Sequence, residues 1–285
     1  MPLTIHAVGI DFSDRGAVAA GIDETGVVVR HASAAVADVA KLPREAGATK
    51  NTIVGVAVDA AHRVAVEATL SKTHPHISNP GVAAIVAESW VGAAKGARHA
   101  ICLWIGDRVF AGLMLDGKPW SGAHGLAGSA AWLALNPVER QDYRRFGSLA
   151  AEVSHEGIAR RLCWRIESGD RSRVLEQAGG LDKITAAHVF AGARGGDGVA
   201  ISVVRDTAKY IGMAIANLAS AIDPDVVVLG GDIAAAGDLL FNPTAQECAR
   251  RLPPSLVAEF RLELSPLGAH GVAIGAARLA ALAKA

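Results

Sequence analysis

Apolar and polar positions at the start of the chain alternate in a way that predicts an antiparallel β-meander. The first apolar stretch ends at Ile10, and residues 13–16 (Ser-Asp-Arg-Gly) form a turn signal. Ala17–Ile22 predicts a second strand, residues 23–26 a second turn and Val27–Val29 a third strand. Short apolar runs separated by Gly, Asp and Ser are typical of strands joined by tight turns.

The remaining chain mixes short buried strands with longer stretches whose apolar residues recur at helical spacing. Strands are predicted at Ile53–Val58, Ala100–Ile105, Val109–Leu115, Asp225–Leu229 and Phe260–Leu264. Helices are predicted at residues 32–46, 82–97, 149–167, 200–222, 244–251 and 272–283. Strands interleaved with helices indicate an α/β protein.

One layout occurs twice along the chain. Residues 8–26 (VGIDFSDRGAVAAGIDETG) and residues 102–117 (CLWIGDRVFAGLMLDG) each read as strand, turn with Asp and Arg, strand, and a second turn ending in Gly. Repetition of one supersecondary unit predicts a duplicated, two-lobed architecture.

Composition narrows the class of protein. The 285 residues suffice for two modest lobes, and 51% of them are apolar although only 5% are aromatic. The core is therefore expected to consist of Ala, Val, Leu and Ile. The 28 basic residues balance the 28 acidic ones, which argues against a nucleic-acid-coating surface.

Cysteine usage and hydropathy indicate a cytoplasmic protein. Cys102, Cys163 and Cys248 are far apart and form no C-x-x-C pair, so neither a zinc knuckle nor a disulfide framework is predicted. Reduced thiols are typical of a reducing compartment. The N-terminus has no secretory pattern, and no apolar run reaches the roughly 18 residues that a membrane span needs. We therefore expect no membrane partner.

Three motifs, one near the middle of the chain and two in its C-terminal half, carry a resemblance to a known family. They are AGLMLDGKPWSGAHGLAG (residues 111–128), DPDVVVLGGDIAAAGD (residues 223–238) and GAHGVAIGAARLA (residues 268–280). They resemble motifs of the ROK family (repressors, open reading frames and kinases), which includes bacterial glucokinases. The resemblance implies a two-lobed actin-like ATPase (ribonuclease H-like) fold with duplicated mixed sheets flanked by helices.

The resemblance also implies lobe boundaries and partners. The small lobe is expected at residues 1–96 plus 271–285, and the large lobe at residues 97–270. A homodimer, a small-molecule sugar or anion, and ATP or phosphate are the implied partners. Family repressors carry a DNA-binding helical module before the first strand, and no such module is expected here because no helix-turn-helix-like arm precedes residue 3. No nucleic-acid partner is therefore expected.

This chain departs from the family at the catalytic base. In the family an Asp in the turn N-D-A-N accepts the proton of the sugar 6-hydroxyl, and here that turn reads Asn79-Pro80-Gly81-Val82. Proline has no side-chain proton acceptor, so general-base help of about 10²- to 10⁴-fold is absent from this position. No catalytic residue is therefore assigned.

The two phosphate loops of the family are also altered. The motif D-x-G-G-T-K reads Asp11-Phe12-Ser13-Asp14-Arg15-Gly16, and G-T-G-x-G-G-G reads Gly106-Asp107-Arg108-Val109-Phe110-Ala111-Gly112. Glycines in such loops let backbone N–H groups approach phosphate oxygens closely. The acidic residues Asp14 and Asp107 would instead repel a triphosphate.

The sugar-binding motifs are changed as well. The family's E-x-G-H reads Ser129-Ala130-Ala131-Trp132, and its G-C-L-E reads Gly147-Ser148-Leu149-Ala150. The two glutamates that hold sugar hydroxyls are missing, and so are the zinc-binding His and the cysteine cluster. No metal, and specifically no zinc, is predicted, and Trp132 is expected to fill the space of the absent zinc and sugar.

A few candidate ligand residues remain, each with an ordinary structural alternative. Asn79 could bind a sugar hydroxyl or start a turn. His124 lies close to where the family's sugar would sit, or is an exposed turn residue. Gly230 and Gly231 could face an adenosine or end a strand.

The two hairpin turns hold a further set of charged candidates. Arg15 and Arg108 stand in equivalent turns and could face each other to bind an anion such as a phosphate, or pair with neighbouring aspartates. Asp59 or Asp107 could replace the missing base, or be a solvated turn residue.

Two functional hypotheses follow from these residues. The first is a ROK sugar-kinase-like protein without hexokinase activity, a pseudokinase kept for ligand binding or regulation. The alternative is an active ATP-dependent sugar kinase with a non-standard site. A ROK transcriptional repressor is a third class, and the sequence does not favour it.

Overall fold

The computed structural model describes residues 4–284, and these residues fold into two compact units. The first unit contains the described residues up to Cys102, the stretch Ala111–Gly128 and the described residues from Ser265 onward. The second unit contains Leu103–Phe110 and Ser129–Leu264. The sequence-based division at residues 96 and 270 instead put Ala111–Gly128 with the large lobe. Residues 1–3 and 285, at the ends of the predicted small lobe, lie outside the described residues.

The first unit is built on a five-stranded mixed sheet. Its strands are β1 (Ala7–Ser13), β2 (Gly16–Ile22), β3 (Val28–Ala34), β4 (Ile53–Ala57) and β5 (His76–Ser78). Their order is β3-β2-β1-β4-β5. The strands β1, β2 and β3 pair antiparallel, which confirms the predicted meander, while β4 pairs parallel with both β1 and β5.

Alternate residues of β1 face two different cores. Val8, Ile10 and Phe12 belong to a buried cluster with Val39 and Leu42. Ala7, on the opposite side of β1, belongs to a second cluster formed with the helices of the first unit. This period of two is what a strand covered on both faces requires.

Four α-helices accompany the first sheet. They are α1 (Leu42–Glu45), α2 (Arg63–Thr69), α3 (Pro80–Val91) and α12 (Gly271–Lys284). The helix α12 lies directly on the sheet, because a Cβ added at Gly9 would come within 1.7 Å of the Ala273 carbonyl oxygen. It also lies against α3, where a Cβ added at Gly275 would come within 1.8 Å of the Ala83 oxygen.

The predicted helix at residues 32–46 is wrong in most of its length. The strand β3 continues to Ala34, a 3₁₀ helix covers Val36–Lys41, and only the four residues of α1 are α-helical. Pro43 is one physical reason, because it has no N–H to bond the carbonyl of Val39 and so cannot continue an α-helical ladder across this position.

The second sheet also has five strands. They are β6 (Ala100–Ile105), β7 (Val109–Leu115), β8 (Lys118–Pro119), β9 (Val226–Gly230) and β10 (Arg261–Leu264). Their order is β10-β9-β6-β7-β8, with β10 parallel to β9 and β8 antiparallel to β7. Every residue of β6 and β9 is buried, as their continuous apolar sequences predict.

Helices make up most of the second unit. They are α4 (Gln141–Phe146), α5 (Ser148–Val153), α6 (His155–Glu167), α7 (Val174–Ala178), α8 (Ala186–Arg194), α9 (Gly198–Ile222), α10 (Gly237–Ala249) and α11 (Pro254–Glu259). The predicted helix at 244–251 starts earlier, since α10 tolerates Pro243 in its interior. Leu240, Thr244 and Cys248 are buried along one face, and their packing offsets the lost hydrogen bond. Within residues 4–284 no helix has both the length and the apolar character to cross a membrane.

Candidate functional site

Asn79 and Pro80 form the start of α3 in the first unit. The Asn79 side-chain oxygen accepts hydrogen bonds from the backbone N–H of Gly81 at 2.8 Å and of Val82 at 3.4 Å. Pro80 follows as the first helical residue and is buried. Asparagine is favoured as the cap because its side-chain oxygen accepts from orphan donors of a helix start. Proline is favoured just after it because it has no N–H to leave unsatisfied and its φ is already helical. The ordinary structural role of Asn79 is therefore present, and its contact with a sugar stays a prediction.

The glycine-rich segment around His124 lies beside this helix start. The Asn79 side-chain nitrogen donates to the Gly125 carbonyl at 3.3 Å, and His124 is exposed one residue earlier. Gly122, Gly125 and Gly128 have φ values of 73°, 71° and 80°, a region that side chains disfavour. The structure thus brings together Asn79 and the segment of His124, the two predicted sugar contacts.

The first phosphate-loop position is a tight hairpin. Ser13 and Gly16 are paired, so only Asp14 and Arg15 form the loop between β1 and β2. The Ser13 hydroxyl donates to the Gly16 carbonyl at 3.0 Å and accepts from the Arg15 backbone N–H at 3.3 Å. The Ser13 hydroxyl thus bonds within the turn, and the two loop residues are Asp14 and Arg15 rather than glycines.

The second phosphate-loop motif begins in the second unit, where residues 106–108 form the turn between β6 and β7. The Gly106 N–H donates to the Arg108 carbonyl at 3.1 Å, and the Gly106 carbonyl accepts from the His155 N–H at 3.1 Å. Asp107 lies 3.4 Å from Nδ1 of the His155 ring. The Arg108 guanidinium lies over the Phe110 ring, 5.4 Å from its centre. This turn is held by packing and by protein hydrogen bonds.

Gly230 and Gly231 end the buried strand β9. Gly231 has φ of 87°, and a Cβ added there would come within 2.3 Å of the Ile105 carbonyl oxygen. Glycine is therefore required here by the close approach of β6, whichever ligand the loop binds. Gly230 is buried as the last residue of its strand. Their contact with an adenosine stays a prediction.

Arg15 belongs to the first unit and Arg108 to the second. Each lies in the hairpin turn that the sequence predicted for it. Their proposed joint binding of an anion stays a prediction, as does the use of Asp59 or Asp107 as a base.

Residues 129–132 and 147–150, which stand where the family has its sugar-binding motifs, lie in the second unit, and Trp132 does not pack as expected. Trp132 is 59% exposed, so the expectation that its ring fills the space of an absent zinc and sugar is wrong. A Cβ added at Gly147, whose φ is 88°, would come within 2.3 Å of the Ala131 oxygen. Glycine is therefore required at position 147, while the Trp132 side chain itself faces solvent.

Zinc does not fit the residues at this position. The buried Ser148 hydroxyl, at the family's cysteine position, has no hydrogen-bond partner among the described residues. A serine hydroxyl is a poor substitute for the thiolates and imidazoles that zinc prefers. Across residues 4–284 no group of three or more His, Cys, Asp or Glu side chains is arranged to hold a metal ion.

A buried carboxyl in the first unit escaped the sequence reasoning. Glu88 is only 1% exposed. Its carboxyl accepts hydrogen bonds from the Ala93 N–H at 2.9 Å and from the Ser265 hydroxyl at 2.5 Å. Burial raises the pKa of this carboxyl above its ordinary value, although both hydrogen bonds oppose the shift. Glutamate on the otherwise apolar face of α3 was the available signal.

Comparison with known proteins identifies the family. The ROK family matches residues 65–283, which is well over half of the chain. The chain belongs to the ROK family. Its two mixed five-stranded sheets flanked by helices are the actin-like ATPase fold of ROK sugar kinases, as predicted.

Similar ROK proteins include both enzymes and repressors. The chain is 32% identical over 190 residues to a glucokinase of Halalkalibacterium halodurans, covering 65% of this chain and 58% of the relative. It is 24% identical over 204 residues to a xylose repressor of Caldicellulosiruptor bescii, covering 70% of this chain and 50% of the relative. The match thus spans between half and three fifths of the length of these curated relatives.

Among the similar solved structures is one that matches this chain over nearly its whole length. It is a ROK glucokinase from Streptomyces griseus in complex with glucose and AMPPNP, with a TM-score of 0.82 and 22% identity. The likeness covers 97% of this chain and 99% of that one. At this level of identity it establishes the fold alone.

Proposed function

We propose that this ROK sugar-kinase-like protein binds a small ligand without transferring phosphate by the family's hexokinase route. One observation carries the proposal. Pro80, at the position that resembles the family's catalytic aspartate, is a buried first residue of α3. A prolyl ring cannot accept the proton of an attacking hydroxyl, so the residue cannot act as a general base.

The hairpin turns add a second, electrostatic reason. Transfer of a phosphoryl group depends on positioning the phosphates and stabilising their charge. The Ser13 hydroxyl bonds within the Ser13–Gly16 turn, and the two exposed loop residues are Asp14, whose charge repels a polyphosphate, and Arg15, so the loop has no net positive charge. Positioning and charge stabilisation are thus weakened together with proton removal.

The alternative is an active ATP-dependent sugar kinase, and the names of the relatives favour it. The Halalkalibacterium halodurans relative is a glucokinase, and so is a Thermotoga maritima relative with 28% identity over 204 residues. An active enzyme would need a carboxylate outside the turn of Pro80. Asp59 and Asp107 are the two candidates that the sequence offers.

A coupled phosphoryl-transfer assay with ATP and a panel of hexoses and amino sugars separates the two functions. We expect ADP release at the background rate for every sugar, with the Streptomyces griseus glucokinase as a positive control. ATP-dependent turnover well above that background contradicts the proposal. In that case loss of turnover in Asp59→Asn or Asp107→Asn would identify the base.

Ligand binding is tested separately by calorimetry with ATP, ADP, inorganic phosphate and sugars. Phosphate binding that is lost in Arg15→Ala and in Arg108→Ala supports an anion role for these arginines. Unchanged phosphate binding in both variants removes that role.

We also propose a cytoplasmic homodimer, on the family resemblance. Light scattering of the purified chain measures its mass in solution, and a monomeric mass contradicts the proposal.

A further inference from the structure

A groove of about 560 Å³ lies in the second unit, between α9 and α10. Its volume falls within the range of small-molecule binding sites, which is roughly 300–1,000 Å³. None of the candidate residues discussed above lines it. The groove therefore needs an explanation of its own.

The floor and walls of the groove are partly apolar. Val204 of α9 is buried at the floor, and Ile201 lies one turn earlier on the same helix. Leu239 and Pro243 line the opposite wall on α10. These side chains offer a surface for the carbon skeleton of a ligand.

Two cations on α9 project along the groove without a carboxylate partner. Arg205 and Lys209 are exposed and one helical turn apart, and both line the groove. Within the part of the chain that the structure describes, neither forms an ion pair. Across from them, Arg250 is held by Glu247 at 2.6 Å, and Arg251 binds the other oxygen of the same carboxylate at 2.5 Å. Glu247 is therefore neutralised by the two arginines that directly follow α10, and the charges of Arg205 and Lys209 remain for an anion.

The groove also offers acceptors for hydroxyl groups. Pro243 has no N–H, so the carbonyl of Leu239, four residues earlier, has no helical donor at that position. The carboxylate of Asp206 and the side-chain amide of Gln246 also line the groove. Carbonyl, carboxylate and amide oxygens accept hydrogen bonds from hydroxyls.

We propose that this groove binds a sugar phosphate, with the phosphate at Arg205 and Lys209 and the sugar hydroxyls toward α10. Two adjacent cations suit a doubly charged phosphate better than a single carboxylate, and charge-assisted hydrogen bonds to it are strong. Because no step of phosphoryl transfer enters the proposal, it stands whether or not the chain is a kinase.

Isothermal titration with glucose 6-phosphate tests the proposal. In the double variant Arg205→Ala/Lys209→Ala we expect affinity to fall by at least about tenfold for each lost charge-assisted bond. The matched control is Lys50→Ala/Lys72→Ala, which removes two exposed lysines of the first unit and should leave affinity unchanged. Far-ultraviolet circular dichroism checks that each variant is folded.

Titrations with other ligands and variants show which part of glucose 6-phosphate contacts Arg205 and Lys209. Glucose should bind the wild type and the Arg205→Ala/Lys209→Ala variant equally, and inorganic phosphate should bind more weakly than glucose 6-phosphate. The charge reversal Arg205→Glu should weaken the binding of glucose 6-phosphate more than Arg205→Ala does. The proposal is overturned if the wild type does not bind glucose 6-phosphate, or if the double variant binds it as tightly as the control. Neither result depends on the phosphoryl-transfer assay, so the two proposals fail separately.

Discussion

At the scale of single residues, Asn79 shows how one side chain takes a local role. The sequence allowed a sugar ligand or a turn starter, and the structure shows a helix cap that also bonds Gly125. Helix capping depends only on neighbouring residues, so it was readable from the Asn-Pro pair. The contact with Gly125 joins residues 46 positions apart, and no local pattern encodes it.

The substitution Asn79→Ala should destabilise the protein by about 1 kcal/mol, because two backbone donors at the start of α3 lose their acceptor. Urea denaturation followed by circular dichroism measures the change. Asn51→Ala is the control, since Asn51 is exposed in the turn before β4. Equal stability of the two variants would contradict the capping role.

Glu88 gives a pH-dependent prediction. Its folded pKa is raised mainly by burial, so folding disfavours the charged form. The resulting penalty is absent below about pH 4.3, the ordinary pKa of a glutamyl carboxyl, and grows as pH rises through the raised pKa. The neutral variant Glu88→Gln keeps a hydrogen-bonding amide in this place. It should therefore equal the wild type near pH 4 and exceed its stability near pH 8.

Urea unfolding at a series of pH values measures this difference. The exposed Glu259→Gln is the control and should show no pH-dependent gap from the wild type. A constant gap between Glu88→Gln and the wild type across the pH range would rule out the titration of Glu88 as the cause.

At the scale of elements, α3 and β7 approach each other through glycines. A Cβ added at Gly112 would lie 2.1 Å from the Gly81 carbonyl oxygen, and one added at Gly81 would lie 2.5 Å from the Ala111 oxygen. This backbone contact accounts for the membership of Ala111–Gly128 in the first unit. The hairpin pattern predicted β7 itself, because alternation and the Asp116-Gly117 turn are local.

Replacing Gly112 by alanine should therefore cost about 1–3 kcal/mol, since helix and strand must separate to admit the methyl group. Gly198→Ala is the matched control. A Cβ at Gly198 meets nothing within 4 Å, and alanine suits the helix α9 better than glycine does. Measured by thermal denaturation, the transition temperature should be lower than that of the wild type for Gly112→Ala and should not be lower for Gly198→Ala. Similar transitions for both would show that the α3–β7 contact adapts without cost.

At the scale of the whole molecule, the three thiols share one property across both units. Cys102 and Cys248 are buried and Cys163 is half-buried. Burial raises the pKa of all three thiols, that of Cys248 to about 11 and that of Cys102 well above its ordinary value. Thiolate, the reactive form, is therefore scarce at neutral pH.

Titration with a disulfide reagent at pH 7.5 should label the native protein slowly, beginning at Cys163, and label all three cysteines after unfolding in urea. The variant Cys163→Ser should lose the first native phase. Rapid native labelling of Cys102 or Cys248 would contradict their burial.

The sequence by itself determined the opening meander, the α/β class, the ROK membership and the proline at the position of the family's base. Each of these depends on a pattern within a few residues or on a motif read directly, and such patterns report local geometry. Tertiary structure alone decided that Trp132 is exposed, that Ser265 meets Glu88 from 177 positions away and that α9 and α10 leave a charged groove. These features depend on how elements that are distant in sequence pack against each other. The periodicity of any single element does not determine those contacts.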